Sequence, residues 1–152
     1  MPIHFSEKLS TQTPALLMLL TVAPAKVIRG SQILTQVSNE ITRLGHRPLI
    51  VTGNHTQKAI QSHLQPLLEH QQLQFALAEY TPDCSEASLK SLRKAAKEHQ
   101  ADVIIGIGGG KALDTAKLLA HQLHLPVVTI PTSAATCAAW TALSNVYSEQ
   151  GA

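Results

Sequence analysis

The sequence predicts an α/β fold, an open, mostly parallel, doubly wound sheet with helices on both faces. Three observations carry this. Short apolar runs rich in Val and Ile alternate with amphipathic helical patterns, at about 20–25 residues per unit. Aromatic residues make up only 3% of the 152 residues, so the core is aliphatic, as in buried parallel sheets. One apolar run, within residues 102–117, passes through four glycines straight into an Ala/Leu/Lys helix pattern.

The elements follow in order. Residues 1–14 read as a flexible N-terminal tail, and 15–152 as one domain. Residues 14–25 hold a short apolar run followed by Ala-Pro-Ala, a faint likeness to a secretory signal. Glu7 and Lys8 cancel in front of it, and a spanning helix needs about 20 apolar residues, so a buried strand at 16–22 is preferred. A second short strand is expected at 26–29, with Ser31 as a helix N-cap. Ile33, Leu34, Val37, Ile41 and Leu44 recur at helical spacing, and Gly45 closes that helix.

Residues 48–52 read as a strand and Gly53-Asn54-His55 as the turn after it. Residues 56–70 are helical, with a kink or break expected near Gln65 because Pro66 follows. A strand is expected at 73–80, a turn with a cap at 82–85, and a helix at 87–99 with Leu89, Leu92, Ala95 and Ala96 inward. Then come a strand at 103–107, a helix from Gly110 to about Gln122, and a strand at 127–130. A small-residue segment at 131–142 and a last strand at 144–147 finish the chain. The ending at Gly151-Ala152 reads as a cut rather than a finished protein.

Net charge is +2 with 14% charged residues, so neither nucleic acid nor a membrane is an expected partner. A small-molecule substrate is, together with at most further copies of the chain in a homo-oligomer. Cys84 and Cys137 form no CxxC pair and read as free thiols of a cytoplasmic protein.

The chemistry concentrates at Gly108, Gly109, Gly110 and Lys111. Glycines at a strand-to-helix turn permit positive φ and a close ligand, and the helix start offers unpaired N–H groups with about +0.5 charge. Lys111 opposes the helix dipole unless an anion sits there, so the turn is read as a phosphate site. It is neither common nucleotide motif. G-x-G-x-x-G from Gly106 would need glycine at Lys111, and the P-loop would need glycine at Ile105 and Ser or Thr at Ala112. Asp114 is either a ligand acceptor or an i,i+3 surface partner of Lys117. The loop after the strand at 127–130 brings Thr132, Ser133 and Thr136 to the same sheet edge, where open parallel sheets bind ligands. His121 and His124 read as surface residues.

Gly-Gly-Gly-Lys-x-x-Asp-Thr-Ala-Lys, followed about twenty residues later by Pro-Thr-x-Ala-x-Thr, resembles the glycerol dehydrogenase branch of the metal-dependent, iron-containing alcohol dehydrogenases. The likeness covers the chain in outline and is specific in those two blocks. It implies a Rossmann-like NAD(P)-binding domain, with NAD or NADP held at the glycine turn. A helical C-terminal domain, absent from this chain, would carry a divalent zinc or iron. Gly109, Gly110 and Lys111 would hold the pyrophosphate, and Asp114 would lie near the nicotinamide. Thr132 and Ser133 would line the cleft, with Thr141, Leu143 and Tyr147 as further contacts.

Two departures shape the expectation. Where many relatives have an Asp on the adenosine ribose, this chain has Gly53, with Lys58 nearby, which sets NADP beside NAD. Where glycerol dehydrogenases have an Asp against the polyol, this chain has Cys137, which turns the expected substrate toward a 2-oxo or 2-hydroxy acid. The alternatives are a nucleotide-binding module without catalysis and a dehydroquinate-synthase-like lyase domain.

Overall fold

The computed structural model of the chain describes residues 24–80, 84–141 and 143–146. Four parallel strands form one sheet in the order β2-β1-β3-β4. They are β1 (Pro48–Thr52), β2 (Ala76–Glu79), β3 (Val103–Gly108) and β4 (Val127–Pro131). Every residue of β1 and β3 is buried, which explains their unbroken apolar composition.

Alternate residues of the two central strands feed two cores. On one face Leu49, Val51 and Ile104 meet Leu89, Leu92 and Ala96 of α4 (Glu86–His99) and Ala116, Leu119 and Ala120 of α5 (Gly110–Leu123). On the other, Ile50, Val103, Ile105 and Ile107 meet Ile41 of α1 (Leu34–Leu44) and Ile60, Leu64 and Leu68. These last three lie on one interrupted helix. It runs through α2 (Gln57–Ala59), a π-helical turn (Ile60–Leu64) and α3 (Gln65–His70). The doubly wound reading therefore holds. The break expected near Gln65 takes the form of that wide turn, which ends where Pro66, lacking an N–H, enters the first turn of α3.

Several expectations need correction. Residues 26–29 form no strand; they are largely exposed and pair with no neighbouring strand. Lys26 instead reaches Glu40 of α1 at 2.7 Å, and this hydrogen bond holds the Glu40 carboxyl below its usual pKa. Ser31 is not the N-cap. The turn continues through Gln32 at φ 55°, and the cap position falls to Ile33 with no side-chain bond. The strand expected at 73–80 is shorter, because ladder pairing with β1 begins at Leu49 opposite Ala76. Residues 144–146 are not a strand; that segment lies against α5. The tail, the strand at 16–22, Pro82, Asp83 and Tyr147 lie outside the described residues. Ser85 does cap α4, accepting from the Ser88 N–H at 3.3 Å.

Gly45 closes α1 for a reason different from the expected one. Its backbone is extended (φ −179°, ψ 174°), which any residue adopts. A Cβ there would come within 2.3 Å of Asp102 Oδ1. The Asp102 carboxylate accepts from the His46 and Arg47 N–H groups, both at 2.8 Å, and so joins the entrances of β1 and β3.

The tightest contact lies between β3 and α5. A Cβ on Gly106 would fall 2.5 Å from the Ala116 Cβ, so strand and helix are nearly in backbone contact. Gly106→Ala is therefore expected to lower unfolding free energy by about 1–3 kcal/mol, the usual cost of overpacking. Urea denaturation measures this, and a loss under about 0.5 kcal/mol would show that α5 moves off the strand freely.

Candidate functional site

The sheet order creates a crevice. β1 and β3 are neighbours, yet the chain leaves β1 toward β2 and leaves β3 toward β4. Connections that part in this way open a cleft at the carboxyl ends of the two strands, where open α/β sheets bind ligands. Gly53 follows β1 there and the glycine turn follows β3.

The glycines of the turn serve separate purposes. Gly108 has φ +147°, and a Cβ on it would sit 2.9 Å from the Ala112 Cβ and 3.9 Å from Thr56 Oγ1. It makes the turn and brings Thr56 to the crevice. Gly110 lies against Thr136, whose Oγ1 would be 3.0 Å from an added Cβ. Gly109 differs from both. Its φ −79° and ψ −172° suit any residue, and nothing lies within 4 Å of its missing Cβ. The protein itself gives no steric reason for glycine at that position; a ligand approaching the backbone does.

Helix α5 starts at that point with no acidic residue in its first turn and no side-chain cap. Its first intrahelical bond runs from the Leu113 N–H to the Gly109 carbonyl at 3.2 Å. The N–H groups of Gly110, Lys111 and Ala112 therefore have no acceptor within the helix. With the helix dipole and exposed Lys111, this end of α5 is suited to an anion.

The second lip is bonded to the first. Pro131 pairs with Gly108, and the Thr132 N–H donates to the Gly108 carbonyl at 3.0 Å. Thr132 also borders a small apolar cavity of about 120 Å³ with Thr56, Ile107 and Ile130. Ser133 is exposed, its Oγ accepting from the Ala135 N–H at 3.2 Å. A larger cleft of about 390 Å³ has Gly110, Lys111 and Asp114 on one wall and Thr136, Cys137 and Ala138 on the other. Thr141, Leu143 and Asn145 complete its lining.

The structure thus gathers Gly108, Gly109, Gly110, Lys111, Asp114, Thr132, Cys137, Thr141 and Leu143 around one crevice and its continuation. Gly53 stands across from them, with the Tyr80 ring 3.5 Å from where its Cβ would be. Leu143 lies on the border, 81% exposed. Cys137 is an exposed free thiol, whereas Cys84 is buried. His121 and His124 are exposed, as expected. Among the described residues no three His, Cys, Asp or Glu side chains converge to hold a metal ion. No helix among them is long and apolar enough to cross a membrane.

Sequence reasoning missed one arrangement. The Asp114–Lys117 pair is not on the surface; its side chains are 8% and 9% exposed and meet at 3.0 Å. The pair is covered by Thr141, Leu143 and Asn145, whose route over α5 has no signal in the local sequence. Asn145 was missed for the same reason. Only the chain's path brings it to the cleft.

A family model described as iron-containing alcohol dehydrogenase matches residues 24–152. An uncharacterized oxidoreductase of Synechocystis sp. is 52% identical over 133 residues, covering 88% of this chain and 34% of that protein. Hydroxycarboxylate dehydrogenase A of Escherichia coli K12 is 52% identical over 68 residues, or 45% of this chain and 18% of that protein. The solved structure of a probable glycerol dehydrogenase from Sinorhizobium meliloti 1021 superposes with a TM-score of 0.75 at 28% identity, over 85% of this chain and 35% of that one. The chain therefore spans about a third of the length of these full-coverage matches. The lyase alternative is not favoured by this match.

Gly109 supplies the sharpest check on the site. Gly109→Ala is expected to cost less than about 1 kcal/mol of stability, the range for a helix N-cap change. A loss as large as that of Gly106→Ala, measured by the same denaturation, would mean that Gly109 serves packing and not a ligand.

Proposed function

The chain belongs to the iron-containing alcohol dehydrogenase family, and we propose that it is the NAD(P)-binding portion of a metal-dependent dehydrogenase. The whole protein would pass hydride between nicotinamide and a carbinol or carbonyl carbon. The observation that carries this reading is the open space at Gly109, set against the start of α5, where the Gly110 and Ala112 N–H groups have no acceptor within the helix. A pyrophosphate fits there, received by the Gly109 and Gly110 backbone and by the Lys111 ammonium. When bound, the nicotinamide supplies the hydride donor or acceptor.

The chain's own residues bind and orient. Thr132, Ser133, Thr141, Leu143 and Tyr147 are proposed cofactor contacts, and Asp114 lies toward the nicotinamide end. Gly53 would face the adenosine ribose. Cys137, on the wall opposite Asp114, would border the substrate. Among the described residues Asp114 is the one carboxylate lining that cleft, and Cys137 adds no second one for a polyol clamp, which favours a 2-oxo or 2-hydroxy acid. The likeness to hydroxycarboxylate dehydrogenase A supports the same choice. The described residues offer no donor set for a divalent metal, so zinc or iron would be held by other residues of the protein. We place the protein in the cytoplasm.

Binding is tested by melting. NAD or NADP at about 100 times its dissociation constant stabilises the folded state by about 2.7 kcal/mol. No shift in melting temperature with either dinucleotide at millimolar concentration would overturn the reading.

Selectivity is tested at Gly53. Its backbone is extended (φ −98°, ψ 164°), and an added Cβ makes only ordinary contact with Tyr80, so Gly53→Asp is expected to fold. A carboxylate there repels a 2′-phosphate, so titration should show NADP weakened about tenfold more than NAD. Equal effects would place the adenosine elsewhere.

A further inference from the structure

Lys117 is an interior residue in the second turn of α5, and the reading above gives it no task. A buried ammonium is costly unless its three N–H donors find acceptors. Here they do. Nζ meets Asp114 Oδ1 at 3.0 Å and donates to the Thr141 carbonyl at 3.0 Å and to the Leu143 carbonyl. Thr141 Oγ1 lies at 3.4 Å. The other Asp114 oxygen accepts from the Asn145 N–H at 3.3 Å. Two side chains of one helix thus hold three residues of a segment that has no regular secondary structure.

Those three residues, Thr141, Leu143 and Asn145, line the same cleft as Gly110 and Lys111. We infer that Lys117 is a positioning residue for that cleft: its ammonium, backed by Asp114, holds Thr141, Leu143 and Asn145 against α5 as part of the cleft wall. The ligand part of this inference rests on the dinucleotide reading. The chemistry argues against plain packing. An apolar side chain of similar volume often serves stability as well as a buried ion pair does. It cannot draw two backbone carbonyls to one point. Asp114 then acts on the site partly through Lys117, since each of its oxygens already has a partner.

The test compares the chain with Lys117→Met and Lys117→Arg by amide hydrogen exchange and dinucleotide titration. Exchange at 143–146 in Lys117→Met is expected to rise about tenfold while β3 keeps its protection. The dissociation constant for NAD or NADP should rise about tenfold, within the range for residues sharing one hydrogen-bond network. Lys117→Arg, which keeps the charge, should recover part of both. Unchanged exchange at 143–146, or a rise shared equally by β3, would overturn the inference. So would a loosened wall with unchanged affinity. Should Lys117→Met fail to fold, Lys117→Arg decides alone: a rise confined to 143–146 supports the inference, and any other pattern overturns it. Failure of the parent chain to bind either dinucleotide overturns the functional reading, and the exchange result then decides the wall by itself.

Discussion

Helix α5 lies closer to strand β3 than any side chain on Gly106 would allow, and the crevice depends on that approach. With the Ala116 methyl 2.5 Å from where a Cβ on Gly106 would be, the helix packs directly on the strand backbone. Its first turn is therefore fixed relative to the end of β3, and Gly108 must reverse the chain within one residue at φ +147°. The Thr132 N–H then bonds the Gly108 carbonyl, which ties the second lip to the first. The helix start is held by the sheet edge itself, so its N–H groups need no reorganisation to receive an anion.

The surrounding architecture keeps this edge rigid. β1 and β3 are buried on both faces by separate aliphatic cores, and the Asp102 carboxylate joins their entrances through two main-chain N–H groups. The opposite ends of the same strands are where the connections part. One end of each strand is committed to structure and the other left to ligand. The described residues of 132–146, which lack strand or helix, take their place from contacts with α5 and β4: Thr129 Oγ1 to the Ala139 carbonyl, Thr136 to Gly110, and the Lys117 cluster.

Much of this was legible in the residues. The central strands were readable because parallel, doubly covered strands are apolar throughout, and the glycine turn because no other residue type meets its demands at Gly106 and Gly108. The ends of α4 and α5 were placed within about a residue, although both helices terminate on non-glycine residues in the left-handed region, Gln100 and His124. What failed has a common cause. A strand exists only where a partner strand meets it, so 26–29 and 144–146 had the composition without the neighbour. The spacing of Asp114 and Lys117 left a ligand acceptor and a surface pair equally open, because the segment that buries the pair lies 24 residues further on. Gly45 looked like a helix terminator of the left-handed kind, when its constraint is a carboxylate from residue 102.

The π-helical turn at Ile60–Leu64 carries a consequence for comparing this chain with its kin. Such a turn spends one residue more than the α-helix around it, and is in effect a one-residue insertion absorbed by widening. Ile60, Leu64 and Leu68 stay on the core side at intervals of four, whereas Gln61, Ser62 and His63 are exposed. A relative with an uninterrupted helix here would align with a single gap among those three exposed positions. Placing the gap elsewhere would set every later position of that helix out of step with its true counterpart, from Leu64 through Leu68.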